Sequence, residues 1–300
     1  MDESVSPSYI GECAISQRSL DEAERNPGYS NHEARFAKGI PVILPGFRKL
    51  HPGCLAILVV VGFIATAYAD TFDNFNDGND DGWSHYDPIP GKYSFPIESG
   101  STAYKMQSPW GCLLSPGRIG SINMQEPAQT KFHVEVDLLN WTYNWGEDIG
   151  LLARIQEPIP SFFLPEGYAL LFRNDRDGQT KLRKLMIVKS EGGIHFPIFL
   201  AKGRMMKPAP DPSGDYRLKF WSADGYLWGQ MIDKSTGQAI IMWDGNTFTD
   251  RISAVDDGDY PRGRSGLIAY VHIVDYEAEG VSPIFDNFYS GIEAPQLKNP

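Results

Sequence analysis

Cysteine is scarce in this chain, with three in 300 residues, Cys13, Cys54 and Cys112. Only Cys112 falls in the part read below as mature. A lone thiol closes no intrachain disulfide, so the mature part must be held by its core or by a metal, with Cys112 as a buried thiol. Basic residues are also short, 27 Lys and Arg against 38 Asp and Glu, for a net charge of −11. No basic block interrupts that balance, which excludes a nucleic-acid backbone as a partner and leaves neutral or cationic ligands. His85, His133, His195 and His272 never fall at metal-ligand spacing, so the histidines argue for no zinc site. There is no Gly-x-Ser-x-Gly elbow, no Walker motif and no dinucleotide-binding glycine pattern. Sustained 3.6-residue periodicity is missing as well, which argues against a helical domain.

What is present is turn chemistry and core material, 30 Gly, 22 Pro, 12% aromatic and 42% hydrophobic residues. That composition excludes wholesale disorder and a collagen-like repeat. The run 55–69, LAILVVVGFIATAYA, follows Arg48, Lys49 and His51 and ends in Ala67-Tyr68-Ala69, the small-x-small pattern of a signal-peptidase site. It is shorter than the roughly 20 apolar residues that span a bilayer. The organisation expected is therefore a polar leader over 1–46, a signal peptide or signal anchor over 47–69, and one domain over 70–300. The protein is then secreted to an extracellular or periplasmic space, or tethered to a membrane by an uncleaved anchor. Its oligomeric state is not written in the sequence.

From residue 70 onward, short runs of aromatic and β-branched residues alternate with turns. Strands are expected over 131–139, 150–156, 167–174, 181–189, 194–202, 215–221, 226–233, 238–243, 265–273 and 284–290. Asp177-Gly178, Asp224-Gly225 and Thr236-Gly237 supply the positive-φ residue of tight hairpins, so neighbouring strands run antiparallel. In 132–138, Phe132, Val134, Val136 and Leu138 share one face, and His133, Glu135 and Asp137 share the other. So many short strands in one domain predict an all-β antiparallel two-sheet β-sandwich, a jelly roll.

Two ends of this pattern resemble a known superfamily. Phe72-Asp73-Asn74-Phe75-Asn76-Asp77-Gly78-Asn79-Asp80-Asp81-Gly82-Trp83, with Gly266-Leu267-Ile268-Ala269-Tyr270 and Phe285-Asp286-Asn287-Phe288, is similar to the first and last strands of concanavalin A-like lectin/glucanase domains. The branch is that of the laminin-G-like and 3-keto-disaccharide hydrolase-like modules of secreted bacterial proteins. Tyr216-Arg217-Leu218-Lys219-Phe220 and Trp228-Gly229-Gln230-Met231-Ile232-Asp233 resemble its central strands. The resemblance implies a concave sheet that binds glycans and, in some members, a structural calcium ion, while one fold hosts many functions.

Candidate sites follow from chemistry. Asp77, Asn79 and Asp81 with Gly82 match the first half of an oxygen-ligand calcium loop, but Pro88 stands where the bidentate Glu of an EF-hand belongs. Calcium would then need distant oxygens such as Asp73 or Asp286, and the alternative is a solvated acidic turn. Glu135 and Asp137 invite comparison with the Glu-x-Asp strand of laminarinase-type hydrolases, where they would carry acid/base work. Leu139 or Asn140 occupies the place of the second Glu, and an amide cannot protonate a leaving group. Trp141, Tyr143 and Trp145 alternate in a polar region and are candidates for stacking on sugar rings, with Arg154 as a bidentate donor. Trp221, Trp228 and Trp243 are expected in the core. The function expected is non-catalytic binding of a poly- or oligosaccharide, with a glycoside hydrolase or 3-keto-disaccharide hydrolase-like enzyme and a protein-binding surface module as alternatives.

Overall fold

Alternation at period two dictates the architecture. In Tyr216–Ala223 the residues Tyr216, Leu218 and Phe220 are buried, and Arg217, Lys219 and Trp221 between them are not. A sheet built from such strands has one face that must meet another apolar face. In a computed structural model of the chain, the described residues are 70–293, apart from 88–90, 109–116, 126, 142–146, 159–164, 178–179, 193–196, 206–208 and 272–280. The side chains of 174–182 and 271 also lie outside the description. The described residues fall in one unit, Ala67–Pro300. Cys112, Tyr143, Trp145 and the leader and signal segments expected over 1–69 lie outside the described residues.

No helix occurs among the described residues. The strands are β1 (Thr71–Asp73), β2 (Trp83–Tyr86), β3 (Lys92–Ser94), β4 (Ile97–Glu98), β5 (Ser101–Thr102), β6 (Tyr104–Gln107) and β7 (Arg118–Asn123). Then come β8 (His133–Asn140), β9 (Glu147–Ile155), β10 (Gly167–Asp177), β11 (Thr180–Ser190), β12 (Ile198–Met205), β13 (Tyr216–Ala223) and β14 (Tyr226–Asp233). The last are β15 (Gln238–Ala239), β16 (Met242–Trp243), β17 (Phe248–Thr249), β18 (Ile252–Val255), β19 (Arg264–Val271) and β20 (Ile284–Gly291). Sheet A has nine strands in the order β15-β14-β13-β8-β20-β6-β3, with β1 on β20 and β18 on β14. Sheet B has nine in the order β17-β16-β12-β11-β10-β9-β19-β7-β2, and β4 and β5 form a small separate pair. Every pairing is antiparallel, and the two sheets pack as a jelly-roll β-sandwich.

The core between the sheets takes Val134, Val136, Leu138, Leu218, Phe220 and Phe285 from sheet A. Sheet B contributes Ile149, Leu151, Leu170, Phe172, Leu185 and Ile187. Each fully buried side chain of this size contributes about 1.5–3 kcal/mol relative to exposure. Sheet B carries a second apolar layer on the outer face of β7, β9, β10, β11 and β19, including Leu152, Leu171, Met186 and Ile268, so these strands bury apolar side chains on both sides. Asp224 (φ 53°) and Gly225 (φ 77°) close the β13–β14 hairpin with both central residues left-handed, the geometry that matches strand twist. That hairpin sets the register in which Trp221 lies opposite Trp228.

Candidate functional site

The outer face of sheet A is built around β8. With Val134, Val136 and Leu138 in the core, His133, Glu135 and Asp137 must point outward, and the β13 partners directly opposite them are Trp221, Lys219 and Arg217. Arg217 donates to Asp137 through Nε (2.6 Å) and Nη2 (3.1 Å). Lys234 Nζ lies 2.8 Å from Asp137 Oδ2, and Asn287 Nδ2 donates to the same oxygen at 3.0 Å. Lys219 Nζ lies 3.1 Å from Glu135 Oε2, Arg217 Nη1 is 3.5 Å from Oε1, and His133 Nε2 is 3.2 Å from Oε2.

Glu135 keeps 3% and Asp137 1% of its surface. Burial pushes the Glu135 carboxyl upward, but the hydrogen bond with His133 and the charges of Lys219 and Arg217 outweigh it and hold the group below its ordinary value. Asp286, beside Asp137, goes the other way, raised by burial against the backbone donor of Asn287 and raised further by the Asp137 charge. A carboxylate that three neighbours keep ionised is a poor proton donor. The carboxylates here tie three strands together.

Further along the same face, Trp221 and Trp228 stack with ring centroids 6.3 Å apart and planes 13° from parallel. Arg251 lies 5.7 Å over the Trp228 ring, and Tyr226 beside it is 43% exposed. A cleft of about 580 Å³ opens here, lined by His133, Lys219, Trp221, Gln230, Arg251 and Glu293. The expectation that Trp221, Trp228 and Trp243 pack in the core is therefore corrected. Phe220, Leu227 and Met242 take the inward positions, so the adjacent tryptophans face out, Trp243 to 37% exposure.

Trp141 has the opposite placement from that expected. It is 2% exposed and packs against Phe172 (5.3 Å) and Tyr216 (5.9 Å) in the core, because β8 ends at Asn140 and the chain turns the ring inward. Arg154 is also withdrawn from any ligand. Its Nη1 donates to both carboxylate oxygens of Asp256 (2.9 and 2.7 Å), its Nη2 donates to the Thr130 carbonyl (2.7 Å), and its guanidinium lies 5.3 Å over the Phe132 ring.

The calcium candidates do not converge. Asp77 Oδ1 accepts from the Asn79 N–H (3.3 Å) and Asn79 Oδ1 from the Asp81 N–H (2.9 Å), so the loop is a run of self-bonded turns. Asp73 Oδ2 accepts from Trp83 Nε1 (2.8 Å), while Asp286 stands opposite Asp137 on sheet A. No group of three or more His, Cys, Asp or Glu among the described residues is placed to hold a metal ion. The donor set does not fit calcium.

No protein-family model matches the sequence, and no curated protein does. Among solved structures the chain is similar to a legume lectin-like domain from Entamoeba histolytica, at 10% identity and TM-score 0.43, over 71% of this chain and 91% of that one. It is similar to the VIP36 exoplasmic/lumenal domain in its Ca2+/Man3GlcNAc-bound form, at 11% identity and TM-score 0.46, over 72% and 86%. It is similar to the carbohydrate-binding module CBM66 from Bacillus subtilis, at 17% identity and TM-score 0.44, over 70% and 94%. The likeness is one of architecture and assigns no role to any residue of this chain.

Proposed function

We propose that this is an exported, non-catalytic carbohydrate-binding protein that takes a poly- or oligosaccharide on the outer face of sheet A. The observation that carries the reading is the Trp221–Trp228 pair, two near-parallel rings on an outward face beside a cleft of about 580 Å³. Flat aromatic surface matches the apolar face of a pyranose ring. Around it, Lys219, Gln230, Arg251 and His133 supply the polar groups that would orient hydroxyls, in the manner of a binding site with a few placed polar groups. The pairing of Glu135 and Asp137 with Lys219, Arg217 and Lys234 supports binding over hydrolysis, because both carboxyls are already engaged by cations of the sheet. Export rests on the apolar run 55–69 with its Ala67-Tyr68-Ala69 end.

The test is a glycan array run beside a reducing-sugar assay on the purified protein, its Trp221→Ala variant and its Glu135→Gln variant. Retention of a glycan without sugar release, abolished in Trp221→Ala, is the expected result. Sugar release that Glu135→Gln abolishes would establish the hydrolase instead, and silence in both assays would transfer the face to a protein partner.

A further inference from the structure

One row of the sheet A face leads off the sheet. His133, Trp221, Trp228 and Ser253, on β8, β13, β14 and β18, stand each directly opposite the next. Their chain neighbours Val134, Phe220, Leu227 and Ile252 take core positions, so all four point outward. Three strand spacings separate His133 from Ser253, about 14 Å, which is longer than one sugar ring. The row ends on β18, which among the described residues pairs with β14 alone.

Beyond that edge a second cleft begins. β16 pairs with β12 only at Arg204 and Met205, so among the described residues 199–202 form an edge of sheet B. A cleft of about 690 Å³ lies over the two edges, lined by Trp228, Arg251 and Ser253 from the sheet A side and by Phe199 and Lys202 from the sheet B side. Phe199 is 52% exposed, and Lys202 is exposed as well. Arg251 also lines the cleft of about 580 Å³ beside Trp221, so the two clefts meet at its side chain. Its guanidinium covers the Trp228 ring, and its Nε donates to Asp250 Oδ1 at 3.0 Å, which offsets the charge at the junction. Arg173, over the Phe199 ring, is bound to buried Asp148 at 2.6 and 2.7 Å and offers no cation to a ligand.

We propose that the two clefts are one site, for an internal stretch of a neutral, linear polysaccharide that lies on Trp221 and Trp228, passes Arg251 and crosses the edge of the sandwich to Phe199 and Lys202. The inference rests on the reading of sheet A's outer face as a saccharide site and adds what that site takes, a chain, since either cleft alone has the size of a small-molecule pocket. Rings on both sides of the crossing present flat apolar surface to pyranose faces, and Arg251 and Lys202 supply donors for hydroxyls. A short oligosaccharide reaches one cleft and a long one reaches both. Contacts at the second cleft are then made by a chain already held at the first, so they raise affinity without a second loss of translational freedom.

Isothermal titration of the full-length protein with the trisaccharide and the hexasaccharide of the cello-, xylo-, manno-, malto- and laminari-oligosaccharide series tests it. Within a series that binds, the hexasaccharide should bind at least about tenfold more tightly than the trisaccharide. The Phe199→Ala/Lys202→Ala variant should lose that gain, and Trp221→Ala should weaken both lengths. Both residues of the double variant are exposed, and an unchanged near-ultraviolet circular dichroism spectrum verifies its fold. Equal affinity for the two lengths, or a gain that survives the double substitution, would overturn the joined site and leave the Trp221 site standing. Binding of no series by the parent would overturn the saccharide reading itself and this extension with it.

Discussion

Replacing Arg154 by Met should cost about 3–5 kcal/mol and leave saccharide binding intact. The side chains of Arg154 and Asp256 are 6% and 13% exposed, so the pair is shielded from water. The substitution keeps the aliphatic stem over Phe132 but removes two bonds to Asp256, one to the Thr130 carbonyl and a longer one, 3.3 Å, to the Tyr260 carbonyl. What remains is a largely buried carboxylate without its cation, the situation in which breaking a pair is most costly. With a urea slope of ~3 kcal/mol per molar for a domain of this size, the midpoint should fall by about 1–1.7 M. Equilibrium urea unfolding followed by tryptophan fluorescence measures it. In the Arg154→Met/Asp256→Asn double variant much of the loss should be recovered, giving a coupling of at least ~1.5 kcal/mol. A single-variant cost under ~1 kcal/mol with no coupling would refute the argument, for the pair would then behave like an exposed one.

Glu135 titrates lower in the fold than its ordinary value of 4.5, so its ionised form contributes stability above that pH, and the contribution is lost as pH falls through the lowered folded value. Acid unfolding of Glu135→Gln should accordingly show a flatter limb below pH ~4.5 than the parent, with a cost at neutral pH from removing the negative charge that Lys219 and Arg217 face. Gly150 and Gly120 both lie on sheet B, and thermal melts should separate them. A Cβ at Gly150 would sit 1.8 Å from the Leu170 carbonyl oxygen, so Gly150→Ala should prevent the β9–β10 pairing from closing. At Gly120 the nearest atom is 3.4 Å away, and Gly120→Ala should shift the melt little. Phe220→Ala, emptying a fully buried site against Phe132, should cost about 3–5 kcal/mol in the same urea assay.

The β-rich pattern after residue 131 was legible because the strands there are long enough to show alternation, as in Tyr216–Ala223 and Tyr226–Asp233. The stretches before it were not. β3, β4 and β5 are two or three residues long, too short for a period to emerge. The tryptophans carry the sharper lesson. Phe220 and Leu227 are apolar neighbours that claim the inward positions, so period-two parity alone places Trp221 and Trp228 outward, whereas reasoning from tryptophan's size put them in the core. For Trp141 parity gives no guidance, because the strand stops one residue before it. The outward position of Glu135 and Asp137 was readable, but their ion pairing was not, since Arg217 and Asn287 come from 80 and 150 residues further along the chain.

The central claim is that a saccharide meets the tryptophans of sheet A's outer face. Calorimetric titration of the glycan best retained on the array into the parent, Trp221→Ala and Trp141→Phe tests it most directly. The account predicts that Trp221→Ala loses at least tenfold in affinity while Trp141→Phe, altered only in the core, binds as the parent does. Undiminished binding by Trp221→Ala, with loss confined to Trp141→Phe, would contradict it.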